Sequence, residues 1–339
     1  MSPSHHKTTS RGRRARTPEE IPKLGLLDVG WRVIRAARRN RLTMLAAGVA
    51  FYALLALFPT IAAVISLWGL LFDPVEAGQQ LYEIGRFMPG DAANLIDQQA
   101  DQVIENTEAG NFMAAMIGLA IAMFVASKGV AVLVVGLNVV YGESEKRPFL
   151  HRTVLLTALT FGLIVMTLVS LGFIGLIPVM VDSLTIEPPV DQIIKWLRWP
   201  ALLIMMSFLI SLLYRFAPYR RKPRWVWINY GTLFATVTWL LGSAILSLYV
   251  RYFTAFSDLY GSLGAVVALM IWFWLSAFIV LFGAELNCEL ERQTLSDTTV
   301  GRPRPLGHRE AFAADTVGVT NPLGGDSDKR YDGDKRDDE

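Results

Sequence analysis

Four polar side chains stand within or at the edge of long apolar runs, where polarity is expensive. Lys128 interrupts the run Phe112–Val140, and Asn138 lies near that run's end. Glu285 and Asn287 close the last run, in Gly283-Ala284-Glu285-Leu286-Asn287. In a bilayer a charge at such depth is costly, so it faces a cavity or the bundle interior, or snorkels to the headgroups. Counted from Val140, Lys128 lies about 18 Å from the near end of its helix, farther than a lysine stem reaches. It is therefore expected to face the interior, a cavity, or headgroups drawn inward. Its chemistry would be to hold an anionic substrate group or to act as an ion-coupling charge. Glu285 can pair with Lys128 or with the basic segment 215–224. Asn138 and Asn287 can hydrogen-bond between helices. Pro59 and Pro178 mark expected helix breaks, since proline removes one backbone donor and frees the carbonyl four residues earlier.

Chemistry of other kinds finds little support. A single cysteine, Cys288, excludes a disulfide framework and a cysteine-based metal site. The histidines at 5, 6, 151 and 308 are scattered, with no H-E-x-x-H pattern. The sequence contains no G-x-x-x-x-G-K-[ST] phosphate loop and no G-x-S-x-G elbow. The chain reads as a non-enzyme, with no metal, no cofactor and no nucleic-acid partner expected.

Hydrophobic residues make up 53% of the 339 residues and charged residues 18%, less than the roughly 25% of a soluble chain. The apolar residues come in six blocks: Leu42–Phe72, Phe112–Val140, Thr153–Val181, Trp199–Tyr214, Trp225–Val250 and Leu259–Ala284. The first would be ~46 Å long as a helix, more than the ~30 Å hydrocarbon core. Blocks of this length cross lipid as helices rather than barrel strands. The fold class is thus an all-α integral membrane protein with six transmembrane helices. Basic residues in the successive connections number 11, 1, 3, 2, 5 and 1. By the positive-inside rule this alternation makes the chain a multi-pass membrane protein with both termini in the cytoplasm.

Residues 1–41 form a basic arm, 42–292 the membrane domain, and 293–339 a polar tail. In the arm, Leu24, Leu27, Trp31 and Ile34 recur at helical spacing while Arg32, Arg35, Arg38 and Arg39 cover the other side. Such a helix lies on an anionic leaflet, and Arg220, Arg221 and Lys222 extend the basic surface. Membrane lipids are the expected partners; nothing in the sequence sets the oligomeric state. The segment 73–111 reads as an acidic helical hairpin outside the membrane. The tail, ending in alternating Asp, Lys and Arg, reads as disordered.

Several motifs in order along the chain resemble one family. They are Ala46-Ala47-Gly48-Val49-Ala50-Phe51-Tyr52-Ala53-Leu54-Leu55 with Leu57-Phe58-Pro59, then Ala126-Ser127-Lys128-Gly129 with Leu137-Asn138 and Tyr141. Tyr214-Arg215-Phe216-Ala217-Pro218, Tyr260-Gly261-Ser262-Leu263-Gly264-Ala265, Trp272 and Gly283-Ala284-Glu285-Leu286-Asn287 follow. Together they resemble the YihY / virulence factor BrkB family over roughly residues 25–292. Ala56 and Ala217 depart from the residues frequent there. The resemblance implies a bacterial inner-membrane protein with six helices. It also brings an old ribonuclease BN label, which no motif here supports, a link to serum resistance, and a suggested role in moving lipids or lipid-linked envelope precursors. An anionic amphipathic substrate is the leading expectation, and a non-transporting scaffold for envelope machinery the alternative.

Overall fold

The structure, a computed structural model, describes residues 11–71, 112–183, 190–252 and 264–322. The proposed hairpin 73–111 lies outside the described residues. The elements are a 3-10 turn (Pro18–Glu20), α1 (Lys23–Arg39), α2 (Leu42–Leu71), α3 (Phe112–Val140), α4 (Phe149–Ser183), α5 (Val190–Phe216), α6 (Trp225–Tyr252), α7 (Gly264–Glu291) and the short α8 (Phe312–Asp315). Among the described residues the sole β feature is an isolated bridge between Pro223 and Thr299.

Helices α2 to α7 are each long and apolar enough to cross a membrane. They are helical because a chain in hydrocarbon must satisfy its own backbone groups. Two of the six carry polar starts that the apolar blocks miss. The block Trp199–Tyr214 belongs to a helix that starts at Val190 and takes in Asp191, Lys195 and Arg198. Similarly, α4 starts at Phe149 and takes in Arg152.

Neither expected break is present. Pro59 lies inside the continuous helix α2, and Pro178 lies within the span of α4. Membrane helices tolerate proline because neighbouring hydroxyls and small local adjustments meet the freed backbone groups. Here the Thr60 hydroxyl donates to the Ala56 carbonyl, 2.6 Å away, next to the Leu55 carbonyl that Pro59 frees.

Helix α7 is the hub, packing on α1, α2, α3 and α6, while α2 and α3 form the most extensive helix pair. The core they share contains Leu42, Val134, Leu137, Ile210, Ile228 and Leu281. At 28 residues α7 is ~42 Å long, so it projects beyond a ~30 Å hydrocarbon core. Its projecting end carries Glu285, Asn287, Glu289 and Glu291, all buried.

What buries them is a cap made from the described segments that precede α2 and follow α7. Leu295 N–H donates to the Arg13 carbonyl at 2.9 Å, and the Gln293 amide to the Arg11 carbonyl at 2.7 Å. Farther along, Gly318 N–H donates to the Arg292 carbonyl, and Asn321 N–H to Asp28. The expectation of disorder from residue 293 therefore fails for 293–322. That stretch is polar yet folded, because Arg309 satisfies its turns from within. The buried Arg309 guanidinium donates to the carbonyls of Leu295, Ser296, Arg304 and Ala314. The segments 11–28 and 292–321 thus sit together at one end of the bundle, here called the capped end.

Candidate functional site

Two sets of polar residues emerge: a buried girdle at the capped end, and Lys128 alone on the outside of the bundle.

The girdle is built on the end of α7. Arg220, in the α5–α6 connection, donates two hydrogen bonds to Glu291, at 2.7 and 3.1 Å. The Thr298 hydroxyl donates to the same carboxylate at 2.9 Å. Both side chains of the ion pair are essentially inaccessible, and the guanidinium lies 4.1 Å from the Tyr141 ring centroid. Burial alone would lower the Arg220 pKa; the adjacent Glu291 carboxylate overrides it and keeps the group charged. Burial pushes the Tyr141 phenol far above its ordinary range, so it stays neutral. Its hydroxyl faces the Asn287 amide without reaching hydrogen-bond geometry.

Arg32 makes the second pair. It donates to Glu289 at 2.6 Å, to the Gln293 side chain at 2.7 Å, and to the Glu289 and Val319 carbonyls. Arg292 completes the neutralisation of Glu289 at 2.6 Å. Arg32 and Arg220, expected on the membrane surface, are therefore internal. The reason is that their partners Glu289 and Glu291 are buried at the projecting end of α7, which α1 and the α5–α6 connection enclose from different sides. Arg35, Arg38, Arg39 and Lys222 are exposed, while Arg221 is half-buried. The apolar face of α1 points outward too, with Leu24, Leu27 and Ile34 each more than half exposed.

Three sequence-selected residues belong to this girdle. Asn138 accepts from Tyr219 N–H at 2.7 Å and donates to Glu145 at 3.1 Å, tying α3 to the α5–α6 connection. Asn287 accepts from Gly231 N–H at 2.7 Å. Here α6 and α7 approach so closely that a Cβ on Gly231 or Gly283 would strike the other's carbonyl oxygen. Glu285, fully buried, accepts from Asn40 at 3.0 Å. That contact fixes the α1–α2 corner, where Arg41 takes a left-handed φ of 50°. All three hold elements in place. Among the described residues, no group of three or more His, Cys, Asp or Glu side chains could hold a metal ion.

Lys128 is elsewhere. It is exposed and falls in the outward stripe Met113, Ile117, Ile121, Phe124, Val135 and Val139. The expectation that it faces the interior, or pairs with Glu285, is corrected. The inward positions of α3 are taken by residues that pack closely: Gly129 against Tyr52 of α2, and Gly136 against Leu281 of α7. Position 128 must then face out. Its ammonium lies 4.6 Å from the Phe124 ring centroid, and it makes no ion pair among the described residues.

Sequence reasoning also missed a polar seam through α5, α6 and α7. Ser211 pairs with Thr232 at 3.1 Å and Ser207 with Thr236 at 3.0 Å. Trp239 donates to Ser276 at 2.9 Å, Trp272 to Ser243 at 3.2 Å, and the Tyr214 hydroxyl to the Val280 carbonyl at 2.7 Å. The signal was present as hydroxyl and indole residues four apart: 207 and 211, 232 and 236, 239 and 243, 272 and 276.

Comparison with known proteins adds the lineage. A family model described as virulence factor BrkB matches residues 33–305. The chain belongs to the virulence factor BrkB family. Its relatives include the putative ribonuclease-like protein YfkH of Bacillus subtilis, 29% identical over 255 residues, covering 73% of this chain and 89% of that protein. A UPF0761 membrane protein of Photobacterium profundum is 27% identical over 281 residues, covering 79% and 82%. Another, from Idiomarina loihiensis, is 26% identical over 209 residues, covering 60% and 72%. No solved structure matches the chain significantly. As a BrkB-family member it is a membrane protein, in agreement with its six apolar helices.

Proposed function

We propose that this BrkB-family protein moves an anionic amphipathic molecule, a lipid or lipid-linked envelope precursor, across the bacterial inner membrane. The observation that carries this reading is Lys128, exposed on the outward stripe of a helix long and apolar enough to cross a membrane. A cation in the outward stripe of a membrane helix costs about 2.5–3.5 kcal/mol on insertion scales. It repays that cost where an anionic headgroup must leave the interface and pass between acyl chains. Lys128 lies twelve residues, or about 18 Å, from the capped end of α3, about half the ~30 Å core. The reading puts the headgroup against the outer face of α3 with the tails left in the bilayer, and gives the chain no catalytic step.

The capped end is taken as cytoplasmic, on the strength of the basic residues in 11–41 and 215–224. Cysteines placed in 73–111 and in 215–224 should then label from opposite sides of the membrane.

A second reading, a scaffold that moves nothing, is favoured by the dense cap and the outward apolar face of α1. One experiment separates the two. The full chain is reconstituted into vesicles containing phosphatidylglycerol with a fluorescent headgroup, and a membrane-impermeant quencher is added. Loss of inner-leaflet signal faster than in protein-free vesicles supports movement. A rate equal to that of protein-free vesicles leaves the scaffold.

A further inference from the structure

An apolar groove of about 520 Å3 runs between α1, α6 and α7. Leu26 and Gly30 form one wall, and Leu233, Phe234, Val237 and Leu290 contribute to the others. We propose that this groove binds one acyl chain of a bilayer phospholipid.

The lining residues call for an apolar occupant. Leu26, Leu233 and Val237 are 45%, 63% and 46% exposed, an arrangement that water penalises and hydrocarbon does not. Position along α6 says which hydrocarbon. Leu233 and Val237 begin an outward stripe that continues through Leu241, Ile245 and Leu248 on a helix long and apolar enough to cross a membrane, so the groove is continuous with the surface that acyl chains would cover.

Gly30 supplies an independent sign. It lies in the middle of α1, where glycine weakens a helix relative to alanine. Yet a Cβ added there would meet no heavy atom within 4 Å, so no close packing demands glycine. What the missing side chain preserves is the depth of the groove. Lys23, exposed and seven residues earlier, falls on the same face of α1 and supplies a cation for the lipid phosphate. The site stands apart from Lys128 and does not depend on transport.

The test uses the full chain in vesicles of phosphatidylethanolamine and phosphatidylglycerol, with a trace of phosphatidylglycerol bearing a photoactivatable group on its acyl chain. Crosslinks mapped by mass spectrometry should concentrate at 26–30 and 233–237, several-fold above Ile245 and Leu248 on the same helix. Gly30→Leu fills the groove and should remove most of that excess while leaving Ile245 and Leu248 unchanged. Gly30→Ala, which adds one methyl group, should keep most of it. Uniform labelling along α6 in the wild-type protein overturns the proposal, and so does undiminished labelling of folded Gly30→Leu. Crosslinks at these residues to a second copy of the chain would identify a protein occupant and overturn it as well.

Discussion

Hydroxyl groups on the two sides of the bundle have different partners. On α2, α3 and α4 the side chains of Thr60, Ser127, Thr153, Thr160, Thr167 and Ser170 each bond back to a carbonyl of their own helix. On α5 and α6 the hydroxyls of Ser207, Ser211, Thr232 and Thr236 bond across to the facing helix, and of these Thr236 also donates to the Thr232 carbonyl of its own helix. The first group is self-contained and leaves helix contact to close packing, as at Gly129 and Tyr52. The second makes neighbouring helices depend on one another. Both sides converge on the same capped end, where buried ion pairs replace hydroxyls. Polarity in this protein is therefore graded: charged and enclosed at the cap, neutral and shared through α5–α7, and self-satisfied in α2–α4. Lys128 is the exception to the last of these.

The largest effect should come from the cap. Removing one partner of a buried pair costs about 3–5 kcal/mol, because the other charge is left uncompensated. Arg220→Met should lower thermal stability in detergent by that order, and the double variant Arg220→Met/Glu291→Leu should recover much of it. A loss of Arg220 no greater than that of an exposed arginine such as Arg38 would show the cap to be peripheral.

Next comes the α6–α7 crossing. Gly231→Ala forces a Cβ onto the Gly283 carbonyl, and overpacking of this kind costs about 1–3 kcal/mol. Gly30→Ala on α1 should instead be neutral or stabilising, since nothing lies within 4 Å.

The seam comparison is sharpened by Thr232→Val and Thr160→Val. Both residues are buried, but one bonds across to α5 and the other to its own helix. Interhelical hydrogen bonds in membranes average about 0.6 kcal/mol, so the first variant should be measurably weaker and the second close to wild type. Equal losses would erase the distinction between the two sides.

The smallest effect is the pH response of the tail. Partial burial opposes ionisation of Asp297, but hydrogen bonds from Arg304 N–H, Thr299 N–H and the Thr299 hydroxyl hold its pKa below the ordinary 3.8. A depressed carboxylate contributes stability that is fully present above 3.8 and lost as pH falls through the lower folded value. Glu143, which accepts from Phe312 N–H, has the opposite sign: burial raises its pKa above 4.5. Its ionised form weighs against the folded state at neutral pH, and that cost is gone below 4.5. Hydrogen-exchange protection of 296–315 should hold or rise slightly from neutral pH to 4.5, then fall below 3.8. A monotonic loss starting near neutrality would contradict this assignment.

The six helices were legible because hydropathy in blocks is a one-dimensional signal. Which way Lys128 points was not. Its helix is apolar all round, so periodicity carries no information about the inward face, and only the packing of Gly129 and Gly136 decides it. Glu285 and Asn287 could be read as polar groups at a helix end, and the structure brings them into the same girdle. The partners of Arg32 and Arg220 lie 257 and 71 residues away, beyond the reach of any local pattern. The tail misled for a related reason. Its composition is that of a disordered segment, and its order depends on the single buried Arg309 collecting four carbonyls.

The proposed lipid movement depends most on the outward-facing Lys128, and a leaflet-exchange measurement on Lys128→Met tests it directly. Methionine keeps much of the stem and deletes the charge, so the variant should insert and fold at least as well as wild type. In vesicles with fluorescent phosphatidylglycerol, its exchange rate should fall toward the protein-free value, while Lys128→Arg retains part of the activity because the charge survives with altered geometry. A folded Lys128→Met that exchanges lipid as fast as wild type would contradict the account and leave Lys128 as a snorkelling side chain.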